Sequence, residues 1–201
     1  RRGSGAGQLE RGKGVRSTPL GVLVRGLAAG AAGVVAMDAF WYGRHLLGGG
    51  RTGPLTFEFG GERDWDRISA PGQVGKRLIE GFTQRDLPAD RAPLVNNAVH
   101  WSSGMSWGHV YAMLVGSLRE PRPLLGPPFG VAVWLAGYAI LPLARLSKPI
   151  WEYDAKTLAP ELTGHLLYGL GTAVAFQVLA GMGRRGKPGM SCGQRRRSVL
   201  R

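Results

Sequence analysis

The side chains best suited to chemistry are a few acids and histidines that lie within or beside apolar segments. Histidine changes charge near physiological pH, and a carboxylate beside it can share a proton or bind a divalent cation. Burying an ionisable group in an apolar medium is costly, so such a group is a functional candidate. The predicted polar intramembrane cluster comprises Asp38, His45, His100, His165 and Glu161.

Four interpretations of this cluster stay open. Its members could form a proton relay, a pH-responsive switch or a divalent metal site, for which His100, His165 and Asp38 are the candidate ligands. Alternatively, Asp38 accepts hydrogen bonds from a histidine or an indole and only fixes helix packing. The histidines show no HExxH or comparable ligand spacing, so the metal is unknown. We predict no cofactor.

Enzyme signatures are missing from the sequence. It contains no GxSxG elbow, no phosphate-binding loop and no GxGxxG after a strand. Ser102, Ser103 and Ser106 lie near His100 and His109 and could suggest a hydrolase. Serine in a transmembrane helix, however, usually bonds its own backbone. We therefore expect a non-enzymatic protein with no catalytic residues.

The elements that position these residues are long apolar segments. Residues 92–118, 123–144 and 162–183 contain no formally charged side chain, and each is longer than the roughly 20 residues that a membrane-spanning helix needs. The segment 20–47 is the weakest candidate because Arg25 and Asp38 flank its short uncharged centre. It spans the bilayer if Arg25 reaches the interface and Asp38 finds a partner. A re-entrant or peripheral segment is the alternative.

The predicted fold is an all-α integral membrane bundle of about four transmembrane helices. A transmembrane domain over residues 20–183 is expected between a basic cytoplasmic tail at 1–19 and a basic, disordered cytoplasmic tail at 184–201. An outer loop covers residues 48–93. The predicted spans are 20–47, 94–118, 125–146 and 162–183.

The formal net charge of +13 is concentrated in the two tails. Basic residues that flank apolar segments are typical of cytoplasmic ends, so we expect both termini in the cytoplasm. The tails should attract anionic lipid headgroups. A nucleic-acid partner is disfavoured because the middle of the chain carries little net charge.

Small residues indicate where helices pack closely. The candidate helix-packing glycines are Gly26, Gly30, Gly33, Gly104, Gly108 and Gly169. The second and fourth spans share a pattern, since His100, Gly104 and Tyr111 have the same spacing as His165, Gly169 and Phe176. This pattern suggests two tandem helical hairpins of similar design, although three matched positions can also arise by chance.

The outer loop contains one amphipathic segment. Val74, Leu78, Ile79 and Phe82 recur at helical spacing, after Ser69 as a cap and Pro71 in the first turn. We expect a helix that either lies on the outer membrane surface or packs against the loop's own residues. Residues 55–59 alternate like a short strand.

The paired hairpins, the Gly/Ala-rich first span that ends in an acid, and the sequence His165-Leu166-Leu167-Tyr168-Gly169 resemble the YagU-like family of small bacterial inner-membrane proteins of unknown function. The resemblance covers the four spans and neither tail, and the outer loop with Trp65 departs from it. It implies a location and a topology but no reaction.

Two functional hypotheses follow. The chain is a subunit or packing partner in a membrane assembly, whose partners are other membrane subunits or further copies of itself. Alternatively, it is a small transport or proton-responsive protein that uses Asp38 and the outer histidines. A transporter predicts a hydrated cavity that reaches those residues.

Overall fold

A computed structural model describes residues 18–116, 118 and 123–185, and within them the chain forms helices and turns with no strand. The all-α prediction is confirmed for this part of the chain. The predictions for the two tails fall almost entirely on residues outside it. The six α-helices are α1 (Pro19–Leu47), α2 (Pro54–Phe59), α3 (Ala70–Thr83), α4 (Ala92–Val115), α5 (Gly126–Leu143) and α6 (Ala155–Arg185).

Three helical segments are long and apolar enough to cross a membrane: α1, α5 with the short helical turn before it, and α6. The chain therefore has the character of a multi-pass membrane protein. The sequence-based ranking of the spans was wrong, because α1 belongs to this set and α4 does not. Because α4 has no formally charged residue, its apolar character was overestimated. Its asparagines, histidines and serines lower its hydropathy without adding charge.

Most helix boundaries lie within a few residues of the prediction, but α6 begins well before residue 162. Asp154 starts it, since its Oδ1 accepts a hydrogen bond of 2.9 Å from the Thr157 amide. Carboxylates at this position satisfy an amide that the helix leaves unpaired. Pro160 lies near the start of α6, where it removes one helical hydrogen bond without ending the helix. Glu161 therefore lies inside the helix rather than before it.

Helix α1 packs between α4 and α6, and α6 also packs against α5. Gly26 and Gly30 of α1 meet Gly104 and Gly108 of α4 so closely that a Cβ at Gly108 would lie 2.3 Å from the Gly30 Cα. The second hairpin repeats this design, with Gly126 and Gly130 of α5 against Gly169 and the His165 backbone. Gly33 faces Tyr168 and Thr172 across the α1–α6 contact.

An aromatic cluster fills the centre of the bundle. Tyr111 of α4 contacts Phe129 of α5 and Phe176 of α6 edge to face, with ring centroids 5.0 and 5.8 Å apart. Tyr168 lies beside Phe129 and donates a hydrogen bond of 2.7 Å to the Gly104 carbonyl. The cluster thereby joins the hairpin α1/α4 to the hairpin α5/α6.

The outer loop folds onto the α4 end of the bundle. The alternation at residues 55–59 belongs to the helix α2, which begins with Pro54, and not to a strand. The expected helix is present as α3, and it packs on α4 through Gly72 and Gly75, which meet Asn96, Val95 and Val99. Its apolar residues Leu78, Ile79 and Phe82 stay exposed. Those three side chains are therefore not the surface that α3 uses to pack against the protein.

Candidate functional site

The candidate site centres on an acid and a histidine in adjacent helices. His100 Nε2 of α4 lies 2.9 Å from Asp38 Oδ1 of α1, and the two side chains are 25% and 20% exposed. The close glycine crossing of α1 and α4 brings these residues to the same level, since Asp38 follows Gly30 by about two turns and His100 precedes Gly104 by about one. Asp38 and His100, separated by 62 positions in sequence, thus form one polar pair.

One oxygen of this pair is left without a partner. Asp38 Oδ2 is buried and makes no hydrogen bond with the described residues. A buried unsatisfied oxygen costs about 1–3 kcal/mol, and more when it is charged. The contact with His100 is made by Oδ1 and leaves this cost at Oδ2 uncompensated.

His165 and Glu161 form a second polar group in α6. His165 Nδ1 donates a hydrogen bond of 2.8 Å to the Glu161 carbonyl, and because a carbonyl only accepts, the proton is on Nδ1. The Glu161 carboxylate accepts a hydrogen bond from the Tyr138 hydroxyl of α5. Asp38 and His100 thus form one group of the predicted residues, and His165 and Glu161 form another within α6.

His45 contacts the start of the outer loop. Its Nε2 is 2.8 Å from the Thr52 hydroxyl, and its ring lies against Tyr42 and Phe57, whose rings also contact each other. The loop returns across the imidazole at Gly50, where an added Cβ would lie 2.2 Å from the ring. His45 therefore helps to fold the start of the outer loop.

The predicted ligands do not assemble into a metal centre. Within the described residues, no group of three or more histidine, cysteine or acidic side chains could hold a metal ion. Asp38 and His100 contact each other directly, and the Glu161 carboxylate is directed to Tyr138.

The outer end of the site is covered by contacts that sequence reasoning missed. Trp101 Nε1 donates a hydrogen bond of 3.0 Å to Glu58 Oε1, and the Asn97 side chain donates one of 2.6 Å to the Glu58 carbonyl. Asn96 Oδ1 accepts hydrogen bonds from the Ser69 hydroxyl and the Gly72 amide. The two adjacent asparagines are the one signal of these contacts in the sequence, because an amide side chain both donates and accepts hydrogen bonds. Glu58 gave no signal, since the alternating segment at residues 55–59 was too short to interpret.

The outward face of α4 is small and polar in its middle, between the exposed Leu94 at one end and the exposed Met113 and Leu114 at the other. Ala98, Ser102 and Ser106 recur every four residues along it and are exposed, as is Ser103. The Ser106 hydroxyl donates to the Ser102 carbonyl at 2.7 Å, and the Ser102 hydroxyl donates to the Val99 carbonyl at 3.2 Å. Ser103, Ser106, Trp107 and Val110 line an open groove of about 150 Å³ here.

A second open pocket, of about 630 Å³, lies beyond the end of α5. Neither of these two pockets is lined by Asp38, His100 or His165. The polar pair, which is partly exposed, therefore does not belong to either of these pockets.

Comparison with known proteins gives no assignment. No family model matches the chain, and neither a curated protein nor a solved structure matches it. The resemblance to the YagU-like family stays a prediction, and function has to be argued from the geometry alone.

Proposed function

We propose that the chain is a non-enzymatic, four-span membrane protein that serves as a subunit of a larger assembly and contacts its partner through the outward face of α4. The three segments apolar enough to cross a membrane support the location. The polar character of the α4 face is the observation that carries the proposal. Basic tails and the resemblance to the YagU-like family favour a bacterial inner membrane with both termini in the cytoplasm.

The contacts of α4 with α1 support α4 as the fourth span. The pairs Gly26–Gly108 and Asp38–His100 mark two ends of one continuous contact along both helices. Gly26 and Asp38 are 12 positions apart in α1, which corresponds to about 18 Å at 1.5 Å per residue. If α1 crosses the hydrocarbon core, α4 lies at the same depth beside it. The packing against α1 compensates for the low hydropathy of α4.

The exposed face of α4 suits a helix better than it suits lipid. Association of helices in a membrane favours small residues, which allow close approach, and hydroxyls, which bond across the contact. Ala98, Ser102 and Ser106 provide a row of small side chains, and the groove beside Trp107 can receive a larger side chain of the partner. The expected partner is a transmembrane helix, from another copy or from another subunit.

The test replaces this face with bulky side chains. In Ser102→Leu/Ser106→Leu, leucines should keep α4 compatible with lipid but block close helix approach. The matched control Ala132→Leu/Ala139→Leu alters two exposed small residues of α5. After extraction from native membranes in mild detergent, the mass of the complex is measured by light scattering. We expect the α4 variant alone to run as a single chain.

Two results would contradict the proposal. The first is a measured mass that corresponds to a single chain for the unmodified protein. The second is a complex of unchanged mass in the α4 variant. Loss of the complex in both variants would also count against it, since it would show that α4 is not the specific contact.

The Asp38–His100 pair favours a second candidate, a proton-responsive function. An ionisable pair with a buried unpaired carboxylate oxygen is an unusual feature for a membrane helix contact. Asp38→Asn keeps the shape and removes the charge. If the pair carries protons, this variant abolishes proton flux in proteoliposomes that contain a pH-sensitive dye. Equal flux in the variant and the unmodified protein would leave the pair with a packing role only.

A further inference from the structure

The pocket beyond the end of α5 has the composition of an anion site at a membrane surface. Pro142, Leu146 and Pro149 give it apolar walls, and Arg145, Lys148, Ser147 and Tyr153 add cationic and hydroxyl groups. Glu152 is its only acid. No ion pair to Arg145 or Lys148 is found in the part of the chain that the structure describes. Two cations therefore face an open volume of about 630 Å³ without a fixed counter-charge.

The backbone at Arg145 indicates that the arginine is placed there for its side chain. Helix α5 ends with hydrogen bonds from the Leu146 amide to Leu141 and from the Arg145 amide to Pro142. Residue 145 in this motif adopts the left-handed conformation, with φ of 56°. Glycine is the usual residue at such a position because it has no Cβ. The chain places an arginine there, and its side chain lines the pocket.

The two cations are not needed to neutralise the end of α5. The carbonyl groups at the end of a helix carry partial negative charge that nearby basic residues offset. Arg77 of α3 already donates a hydrogen bond to the Ala144 carbonyl. This contact also holds α3 beside the pocket, so that Arg145 and Lys148 remain available for a ligand.

The surroundings of the pocket match the boundary between lipid and water. The pocket adjoins the last turn of a candidate membrane span, and Leu143 and Trp151 beside it are 87% and 81% exposed. Tryptophan is enriched at this boundary. A ligand in this pocket would have its headgroup at the cations and its acyl chains along α5.

We propose that the pocket bounded by Arg145, Lys148 and Tyr153 binds the phosphate headgroup of an anionic phospholipid in the outer leaflet. The guanidinium and ammonium groups bind the phosphate oxygens through charge-assisted hydrogen bonds. The Tyr153 hydroxyl, whose oxygen accepts a hydrogen bond from the Lys148 amide, supplies a donor for the remainder of the headgroup. The acyl chains pack against Leu143 and Trp151. This site is distinct from the general attraction of the basic tails for lipid.

The test uses the full chain purified with phosphatidylglycerol and phosphatidylcholine in equal amounts, and native mass spectrometry to count the bound lipids. The variant Arg145→Gln/Lys148→Gln removes both cations. The matched control Arg63→Gln/Arg85→Gln removes two exposed cations of the outer loop, which do not line the pocket. We expect the amount of retained phosphatidylglycerol to fall about tenfold in the first variant, because the loss of a charge-assisted hydrogen bond weakens binding by about this factor. In the control variant, the amount retained should not change. The single variant Lys148→Gln, which leaves the end of α5 unchanged, should show an intermediate loss.

A competition with glycerol 3-phosphate distinguishes a lipid from a soluble phosphate compound. If the site recognises a lipid, millimolar glycerol 3-phosphate does not displace phosphatidylglycerol. Displacement by the soluble compound would overturn the assignment to lipid. Unchanged retention in Arg145→Gln/Lys148→Gln, or an equal loss in the control, would overturn the site itself.

Discussion

The close crossing of α1 and α4 gives the sharpest prediction, because it can be tested by adding a single methyl group. In Gly108→Ala the new Cβ would lie 2.3 Å from the Gly30 Cα and 2.5 Å from the Gly26 carbonyl oxygen. Both obstacles are backbone atoms, so no side chain can rotate away. Ordinary contact of a Cβ begins at about 3.4 Å, and the helices must therefore separate by about 1 Å.

The expected cost follows from this separation. Overpacking of a rigid contact destabilises proteins by about 1–3 kcal/mol, whereas alanine is intrinsically favoured over glycine in a helix by up to about 1 kcal/mol. The control is Gly137→Ala in α5, where an added Cβ meets nothing within 4 Å. Stability is measured by unfolding in mixed micelles with increasing denaturing detergent. We expect Gly108→Ala to lower the free energy of unfolding and Gly137→Ala to leave it unchanged or raise it.

The separation should also be visible at the polar pair. Moving α4 away from α1 lengthens the 2.9 Å contact between His100 Nε2 and Asp38 Oδ1, so the imidazole NMR signal of His100 should shift in Gly108→Ala and not in Gly137→Ala. Equal stability of the two variants would refute the packing of α1 on α4. It would also remove the argument that places α4 at the depth of α1.

Two further predictions concern single hydrogen bonds. Tyr168→Phe removes the 2.7 Å hydrogen bond to the Gly104 carbonyl between the two hairpins and should lower the free energy of unfolding by about 1 kcal/mol in the same assay. The control Tyr42→Phe loses only an exposed hydrogen bond and should lower it by less. Equal losses in the two variants would contradict the role of the aromatic cluster. The hydrogen bonds from Thr157 lower the pKa of Asp154. The cap therefore stabilises the start of α6 fully at pH values above the ordinary pKa of the carboxyl. This stabilisation is lost as the pH falls through the lowered pKa of Asp154. Hydrogen exchange of the first-turn amides of α6 should show this acid-dependent loss of protection, and Asp154→Ala should abolish the dependence; a dependence that persists in Asp154→Ala would assign it to another group.

The helices were predictable from the sequence because their signals are local. Proline occupies the first or second position of α1 to α5, and the apolar segments exceed the length of a membrane span. The start of α6 was misplaced because the charge of Glu161 limits the uncharged segment to residues 162–183, whereas the Asp154 cap starts the helix earlier. The alternation at residues 55–59 was too short to separate a strand from a helical turn, and a helix begins there at Pro54.

The site was only partly predictable, because it depends on contacts between distant residues. Depth along the helices identified Asp38 and His100 as candidates, and no local pattern could show that they touch. His45 has a similar depth, but the return of the chain at Gly50 turns it toward Thr52. The apolar side of α3 was visible as a pattern, whereas the use of Gly72 and Gly75 for packing was not. Helical periodicity cannot separate a side that contacts protein from a side that contacts lipid.

The topology of the chain is the central claim, and labelling of thiols in intact cells tests it most directly. Gly81→Cys in a Cys192→Ser background places one thiol on an exposed position of α3, where an added side chain meets nothing within 4 Å. The unmodified protein supplies its single native thiol at Cys192, outside the described residues. With four spans, a membrane-impermeant maleimide labels the Gly81→Cys variant and leaves Cys192 unlabelled until the cells are opened. If α4 does not cross, only α1, α5 and α6 span the membrane and both thiols are labelled from outside. That result would contradict the four-span account.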